Sequence, residues 1–251
     1  MQQHTQPVAL VTGANTGIGH QIARDLVSHG FTVLVGARNP EKGKQAAQDI
    51  GPDAHPLHLD VTDQATIDAA AEHIRNTFGR LDVLVNNAGI SQPDNAAEVF
   101  PATVQAGMMT VASPEYIRTV FETNVFGVIA VTQAMLPLLH EAPAGRIVNL
   151  GSGAGSLALN ADPGNPGRAM FGTYSASKSA LHAVTLALAV ALESTPIKVN
   201  VACPGFTSTA LNNFSGTRTV EQAAREAVRL ALLGPDGPTG TFSNEDGPMP
   251  W

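Results

Sequence analysis

Tyr174 and Lys178 stand four apart in the run Thr173-Tyr-Ser-Ala-Ser-Lys178, at the head of a helical pattern. On a helix, that spacing puts both side chains on one face, one turn apart. A phenol titrates near ~10 and moves protons poorly at neutral pH. An adjacent ammonium favours the phenolate, so the pair is expected to carry a lowered phenol pKa. Such a group could give a proton to a carbonyl oxygen or take one from an alcohol. Taken alone, the pair is also what an ordinary helix surface shows. Ser152 closes the strand-like run Gly145-Arg-Ile-Val-Asn-Leu-Gly-Ser152, where a hydroxyl could hydrogen-bond a developing oxyanion. Asn124 lies in an otherwise apolar helical stretch. A buried amide needs partners, so Asn124 is either a satisfied core group or part of a water relay toward Lys178.

A second constellation opens the chain. Leu10-Val-Thr-Gly-Ala-Asn-Thr-Gly-Ile-Gly19 follows an apolar β-rich run and starts a helical one. Gly13, Gly17 and Gly19 are spaced Gly-x3-Gly-x-Gly, with Asn15, Thr16 and Ile18 between them. Glycines let a backbone turn sharply against a pyrophosphate, and the helix that follows offers it unpaired N–H groups. No Gly-Lys-Ser/Thr closes the turn, so it is not a Walker A loop. The next strand ends at Ala37-Arg38, where an NAD-binding unit usually carries an acid. A guanidinium there can grip a 2′-phosphate, which points to NADP(H); an exposed surface arginine is the alternative. Asp60, followed by Val61, could take a hydrogen bond from an adenine amino group or cap the next helix. Asn86 and Asn87, followed by Ala88 and Gly89, end a fourth strand, and their amides could brace the loops around a coenzyme.

These groups need a scaffold. Apolar β-rich runs at 8–11, 31–35, 55–59, 81–85, 146–150, 198–202 and 239–242 alternate with helical patterns at 18–29, 41–50, 64–78, 114–140, 173–193 and 220–233. That alternation predicts βαβ units and a largely parallel, seven-stranded sheet with helices on both faces. The expected fold is α/β, a Rossmann-type doubly wound single domain over 1–251. Two irregular stretches, 91–112 and 160–172, follow strand ends, where open α/β sheets bind ligands. Phe100, Met108, Met109, Met170 and Phe171 in them could line an apolar pocket or simply pack the loops.

Composition narrows the function classes. The chain has 251 residues, 43% hydrophobic and 14% charged, with net charge −7. Four lysines and an acidic balance argue against a nucleic-acid role. One cysteine, Cys203, excludes an internal disulfide framework, and the eight histidines form no metal-spaced cluster, so no metal is expected. The start lacks a basic and apolar leader, and the apolar stretch at 125–139 is interrupted by Thr132, Gln133 and Pro137. The expectation is a cytoplasmic protein without a membrane span.

In this order, Thr12 to Gly19, Asp60, Asn86 to Gly89, Asn124, Ser152, Tyr174 to Lys178 and Pro204-Gly205 resemble the short-chain dehydrogenase/reductase family over nearly the whole chain. Within it, Gly36-Ala-Arg-Asn-Pro-Glu-Lys42 and the tail ending in Trp251 are similar to NADPH-dependent carbonyl reductases. The resemblance implies a tetrad of Asn124, Ser152, Tyr174 and Lys178 acting on a small carbonyl or alcohol. Ser152 would bind the carbonyl oxygen, Tyr174 would exchange the proton, Lys178 would tune Tyr174 and hold the ribose, and Asn124 would hold the relay water. Pro204, Gly205, Phe206, Thr207 and Thr209 would bind the nicotinamide carboxamide. Three departures stand out: Thr16 occupies a position often basic in NADP-preferring members, and the Ser152–Tyr174 and Asn86–Asn124 spacings, 22 and 38, are long. The segment before Tyr174 is a smaller insertion than in carbonyl reductases, and the assembly expected is a monomer or small homo-oligomer. A carrier-bound acyl ketoreductase and a non-catalytic NADPH sensor are the rival readings; fold alone permits the latter.

Overall fold

A computed structural model describes residues 5–93 and 102–251. Eight strands form one sheet: β1 Val8–Thr12, β2 Thr32–Ala37, β3 Ala54–His58, β4 Val83–Asn86, β5 Arg146–Leu150, β6 Lys198–Ala202, β7 Phe242–Asn244 and β8 Gly247–Pro248. Their order is β3-β2-β1-β4-β5-β6-β7-β8. Every neighbouring pair is parallel except β7–β8. The expected seven strands are present. The eighth is a two-residue return that a Gly-Pro pair does not signal, entered through Gly247 at φ 129.

The helices are α1 Gly17–Ser28, α2 Pro40–Ile50, α3 Gln64–Phe78, α4 Ala102–Ala106, α5 Pro114–Phe121, α6 Gly127–His140, α7 Leu157–Ala161, α8 Thr173–Ala191 and α9 Val220–Ala231. They cover both sheet faces, and the strands show why. Side chains alternate between faces, so a strand buried on both sides must be apolar throughout. In β1, Ala9 and Val11 join the core under α1, α2 and α9, while Val8 and Leu10 join the core under α3, α6 and α8. β1 is accordingly buried at all five positions.

α5 and α6 are parts of one 27-residue helix, Pro114–His140, joined by a π turn at Glu122–Phe126. The helix has the bounds expected from its periodicity. Thr132, Gln133 and Pro137, which interrupt its apolar run, lie within it, and buried Thr132 accepts a hydrogen bond from Asn86. By length and hydropathy alone this helix is able to cross a membrane. Here Val131, Met135, Leu138 and Leu139 pack into the chain's own core.

The irregular stretches contain local structure. α7 and a 3₁₀ turn at Pro166–Met170 flank residues 162–165. The Thr173 amide and hydroxyl both donate to the Gly107 carbonyl, at 2.7 and 2.8 Å, stitching the two stretches together at the head of α8. Phe100 lies outside the described residues.

Candidate active site

The strand order reverses direction between β1 and β4, and the crevice beyond their carboxyl ends is where open α/β sheets receive ligands. Gly13 and Gly17 adopt φ 63 and 59, which only glycine takes without strain. Contact also requires glycine: a Cβ on Gly13 would stand 2.9 Å from Ala88 Cα, and one on Gly19 would stand 2.3 Å from Asn87 Nδ2. Asn87 Nδ2 donates to the Thr12 and Gly13 carbonyls at 2.9 and 3.2 Å. The amides of Asn87 and Ala88 both donate to the Thr12 hydroxyl oxygen at 3.0 Å. The turn is thus latched to the end of β4.

α1 begins at this turn without a side-chain cap from Thr16 and without an acid in its first turn. The first amides of a helix have no partner within it, so an uncapped, acid-free start suits an anion. These features fit the diphosphate of a dinucleotide, with Asn15, Thr16 and Ile18 carried on the same turn. Arg38 is exposed just beyond β2. Asp60 Oδ1 takes the amide and hydroxyl of Thr62 at 2.9 and 2.7 Å. The cap of α3 is Asp63, not Asp60: its carboxylate accepts the Ala65 amide. Val61 is buried against the long helix, where a Cβ on Gly127 would stand 2.8 Å from its carbonyl oxygen.

Asn86 was expected to brace the loops with Asn87, but neighbouring strand residues face opposite ways. Asn86 turns into the core and donates to Thr132 and Asn149 at 3.0 and 2.8 Å. Asn149 in turn donates to Thr185.

Asn124 lies in the π turn and is fully buried. Its Oδ1 accepts the Ile90 amide at 2.9 Å, and its Nδ2 donates to the Ile90 carbonyl at 2.8 Å and to Ser177 at 3.0 Å. The side chain is therefore a satisfied amide that ties the segment after β4 to α8. π turns frequently mark functional positions because they break the regular carbonyl ladder. Gly89 fits between Asn124 and Lys178: a Cβ on it would stand 3.2 Å from Asn124 Oδ1 and 3.6 Å from Lys178 Nζ.

Ser152, Tyr174 and Lys178 come together. Ser152 ends β5's extension and heads a 3₁₀ turn, its hydroxyl oxygen accepting the Ala154 amide at 3.2 Å. Its side chain acts to lower the Tyr174 phenol pKa, against the effect of burial. Lys178 Nζ lies 5.8 Å from the Tyr174 ring centroid and donates to the Leu150 carbonyl at 2.7 Å. The expected lowering of the phenol is not found. Burial pushes Tyr174 up to about 12, outweighing the opposing effect of Ser152. Burial likewise brings Lys178 down to about 8. The arrangement can present two hydroxyls to one oxygen, with the phenol firmly protonated at neutral pH.

The strip after β6 leans over the glycine turn. Gly205 has φ 73, and Thr209 Cγ2 stands 3.7 Å from where a Gly17 Cβ would be. The Thr207 hydroxyl was expected to meet a carboxamide, yet its proton is shared between the Pro204 and Gly205 carbonyls at 3.2 Å each. Its oxygen remains able to accept from an amide. Phe206 is exposed, and the buried Cys203 has its thiol pushed up by burial. No metal-holding group of His, Cys, Asp or Glu occurs among the described residues.

Two residues given no role from the sequence adjoin the site. Thr12 is the acceptor that locks the glycine turn. His182 continues the Tyr174–Lys178 stripe by one more turn, and that i, i+4, i+8 spacing was the signal available.

The chain is similar to known proteins in sequence and in fold. The family model for short chain dehydrogenase matches residues 7–219. A short-chain dehydrogenase of Penicillium roqueforti is 36% identical over 240 residues, covering 92% of this chain and 90% of that protein. The structure of salutaridine reductase from Papaver somniferum superposes with TM-score 0.78 at 29% identity, covering 94% and 99% of the two chains. The 3-ketoacyl-(acyl-carrier-protein) reductase from Brucella melitensis, complexed with NADH, gives TM-score 0.77 at 27% identity, covering 95% and 96%.

Proposed function

The chain belongs to the short-chain dehydrogenase family, oxidoreductases that use a nicotinamide coenzyme, and from that premise we propose that it reduces a free ketone or aldehyde to an alcohol with NADPH. The observation that carries this reading is Lys178 Nζ set 5.8 Å from the Tyr174 ring, with Gly89 packed between that ammonium and Asn124, beside an uncapped glycine turn.

Each residue has a role derived from its setting. Amides of the turn from Gly13 to Gly19 cradle the diphosphate. Arg38, at the end of β2, grips the 2′-phosphate through paired N–H groups. Asp60 and Val61 border the adenine, and Asn87, Ala88 and Gly89 support the turn from β4. Pro204, Gly205, Phe206, Thr207 and Thr209 hold the carboxamide end. The bound dihydronicotinamide supplies the hydride. Ser152 and Tyr174 hydrogen-bond the substrate oxygen, polarising the carbonyl. As that oxygen gains charge, Tyr174 releases its proton to it. An alkoxide is far more basic than a phenolate, so a phenol held at about 12 still transfers its proton downhill. Lys178 carries positive charge beside the phenolate left behind and reaches the ribose hydroxyls. Asn124 fixes Ile90 and the head of α8, keeping the water path to Lys178 in place.

A ketone carried on acyl-carrier protein is the competing substrate class, favoured by the likeness to the Brucella melitensis reductase. The test is the initial rate of NADPH and NADH oxidation over a panel of free ketones and aldehydes, with wild type and Arg38→Asp. Turnover of a free ketone with NADPH preferred is expected. The substitution should weaken NADPH roughly a hundred-fold and NADH little, as loss of a bidentate phosphate contact does. Turnover only with carrier-bound substrate would favour the rival class. Coenzyme binding without turnover of any carbonyl would favour a sensor.

A further inference from the structure

We infer that His182 is a positioning residue for Ser152, and that the C-terminal segment ending in Trp251 holds it in place; this rests on the role given to Ser152 above. His182 is buried in α8, one turn beyond Lys178, and its Nε2 accepts the Ser152 backbone amide at 3.4 Å. Nothing larger than Gly151 admits the imidazole: a Cβ there would stand 2.5 Å from His182 Nε2 and 2.3 Å from Val201 Cγ1.

Aromatic rings fix the imidazole from outside. Phe242 lies 4.3 Å from it, centroid to centroid, and Trp251 meets it edge-on at 5.9 Å. Phe242 and Trp251 also contact each other at 5.7 Å. The tail is itself bonded to the segment following Ser152. The Ser156 hydroxyl donates to the Pro250 carbonyl at 2.7 Å, and the Ala158 amide donates to the Trp251 carbonyl at 2.8 Å. Met249 Cε stands 3.4 Å from where a Gly153 Cβ would be. Ser152 is therefore held from beneath through His182 and downstream through a turn tied to the tail.

His182 Nδ1 is buried with no partner among the described residues. Accepting at Nε2 in a neutral ring places the proton on that Nδ1. A leucine would fill the space and remove the unpaired Nδ1–H, but it would leave the Ser152 N–H without its acceptor, so the acceptor at Nε2 is what the imidazole adds. A sub-ångström shift of Ser152 matters, because catalytic hydroxyls act only in near-attack geometry.

The test is a double-mutant cycle. His182→Leu, His182→Gln and Trp251→Leu are each made in wild type and in Ser152→Ala, and kcat, KM and coenzyme dissociation constant are measured. His182→Leu should lower kcat roughly ten-fold or more, with coenzyme affinity nearly unchanged. His182→Gln, whose amide oxygen can reach the same N–H, should restore kcat to within about three-fold. In the Ser152→Ala background the cost of His182→Leu should shrink to about two-fold or less. An equal cost in both backgrounds, or no rescue by glutamine, overturns the inference. Full activity in Ser152→Ala alone overturns the underlying role of Ser152 instead. Trp251→Leu gives the same reading should His182→Leu fail to fold.

Discussion

At the residue scale, burial governs the titratable groups more than pair charge does. A phenol and an ammonium at helical spacing invite the expectation of a depressed phenol. Lys178 is buried and Tyr174 half-buried, and desolvation drives Tyr174 up to about 12 and Lys178 down to about 8. Sequence spacing identified the pair but carried no measure of its solvation. His182 follows the same physics: burial first, then the Lys178 charge, hold it down to about 4 from an ordinary 6.5. Between those values the unfolded chain binds the proton and the folded chain does not, so stability falls as pH drops through that window. Thermal unfolding from pH 7 to 4 should therefore show a steeper loss of Tm in wild type than in His182→Gln. Equal slopes would mean that His182 titrates normally in the folded chain.

At the element scale, the sequence located helices and strands well because their apolar patterns were complete. β5 and β6 match their expected bounds, and α3 agrees at both ends, where Asp63 caps one and Gly79 at φ 78 closes the other. The π turn around Asn124 left no such pattern, since one inserted residue in a helix barely alters periodicity. Nor did spacing reveal that Asn87 and Asn86 face opposite ways, one to the glycine turn and one to the core. The latch between Thr12, Asn87 and Gly19 gives a sharp expectation. Gly19→Ala would put a methyl 2.3 Å from Asn87 Nδ2, forcing it off the Thr12 and Gly13 carbonyls. Coenzyme affinity should fall by roughly ten-fold or more, equivalent to about 1.4 kcal/mol. Titration of coenzyme fluorescence checks this, and an unchanged dissociation constant would show that the latch does not shape the cradle.

At the scale of the whole molecule, chemistry and stability occupy opposite ends of the sheet. The carboxyl ends of β1, β4, β5 and β6 carry the candidate site. At the other end, Arg146 begins β5 and is buried, donating to the carbonyls of Gly145, Pro196, Leu233 and Gly234 at 2.8 to 3.2 Å. It joins the approach to β6 with the end of α9, a role that no local motif announces because its acceptors lie up to 88 residues away. Arg146→Met would leave several carbonyls poorly paired. It should cost about 3 kcal/mol, or roughly 5–10 °C in Tm, while coenzyme affinity stays near wild type. A comparable fall in affinity would show that the two ends are coupled.

The most direct test of the account is steady-state reduction of the best ketone by Tyr174→Phe, with coenzyme binding measured on the same protein. Removing one hydroxyl leaves the ring and the glycine turn in place. The expected result is a kcat reduced roughly a thousand-fold with coenzyme affinity within about three-fold of wild type. A phenylalanine variant that turns over within a few-fold of wild type would contradict Tyr174 as the proton donor.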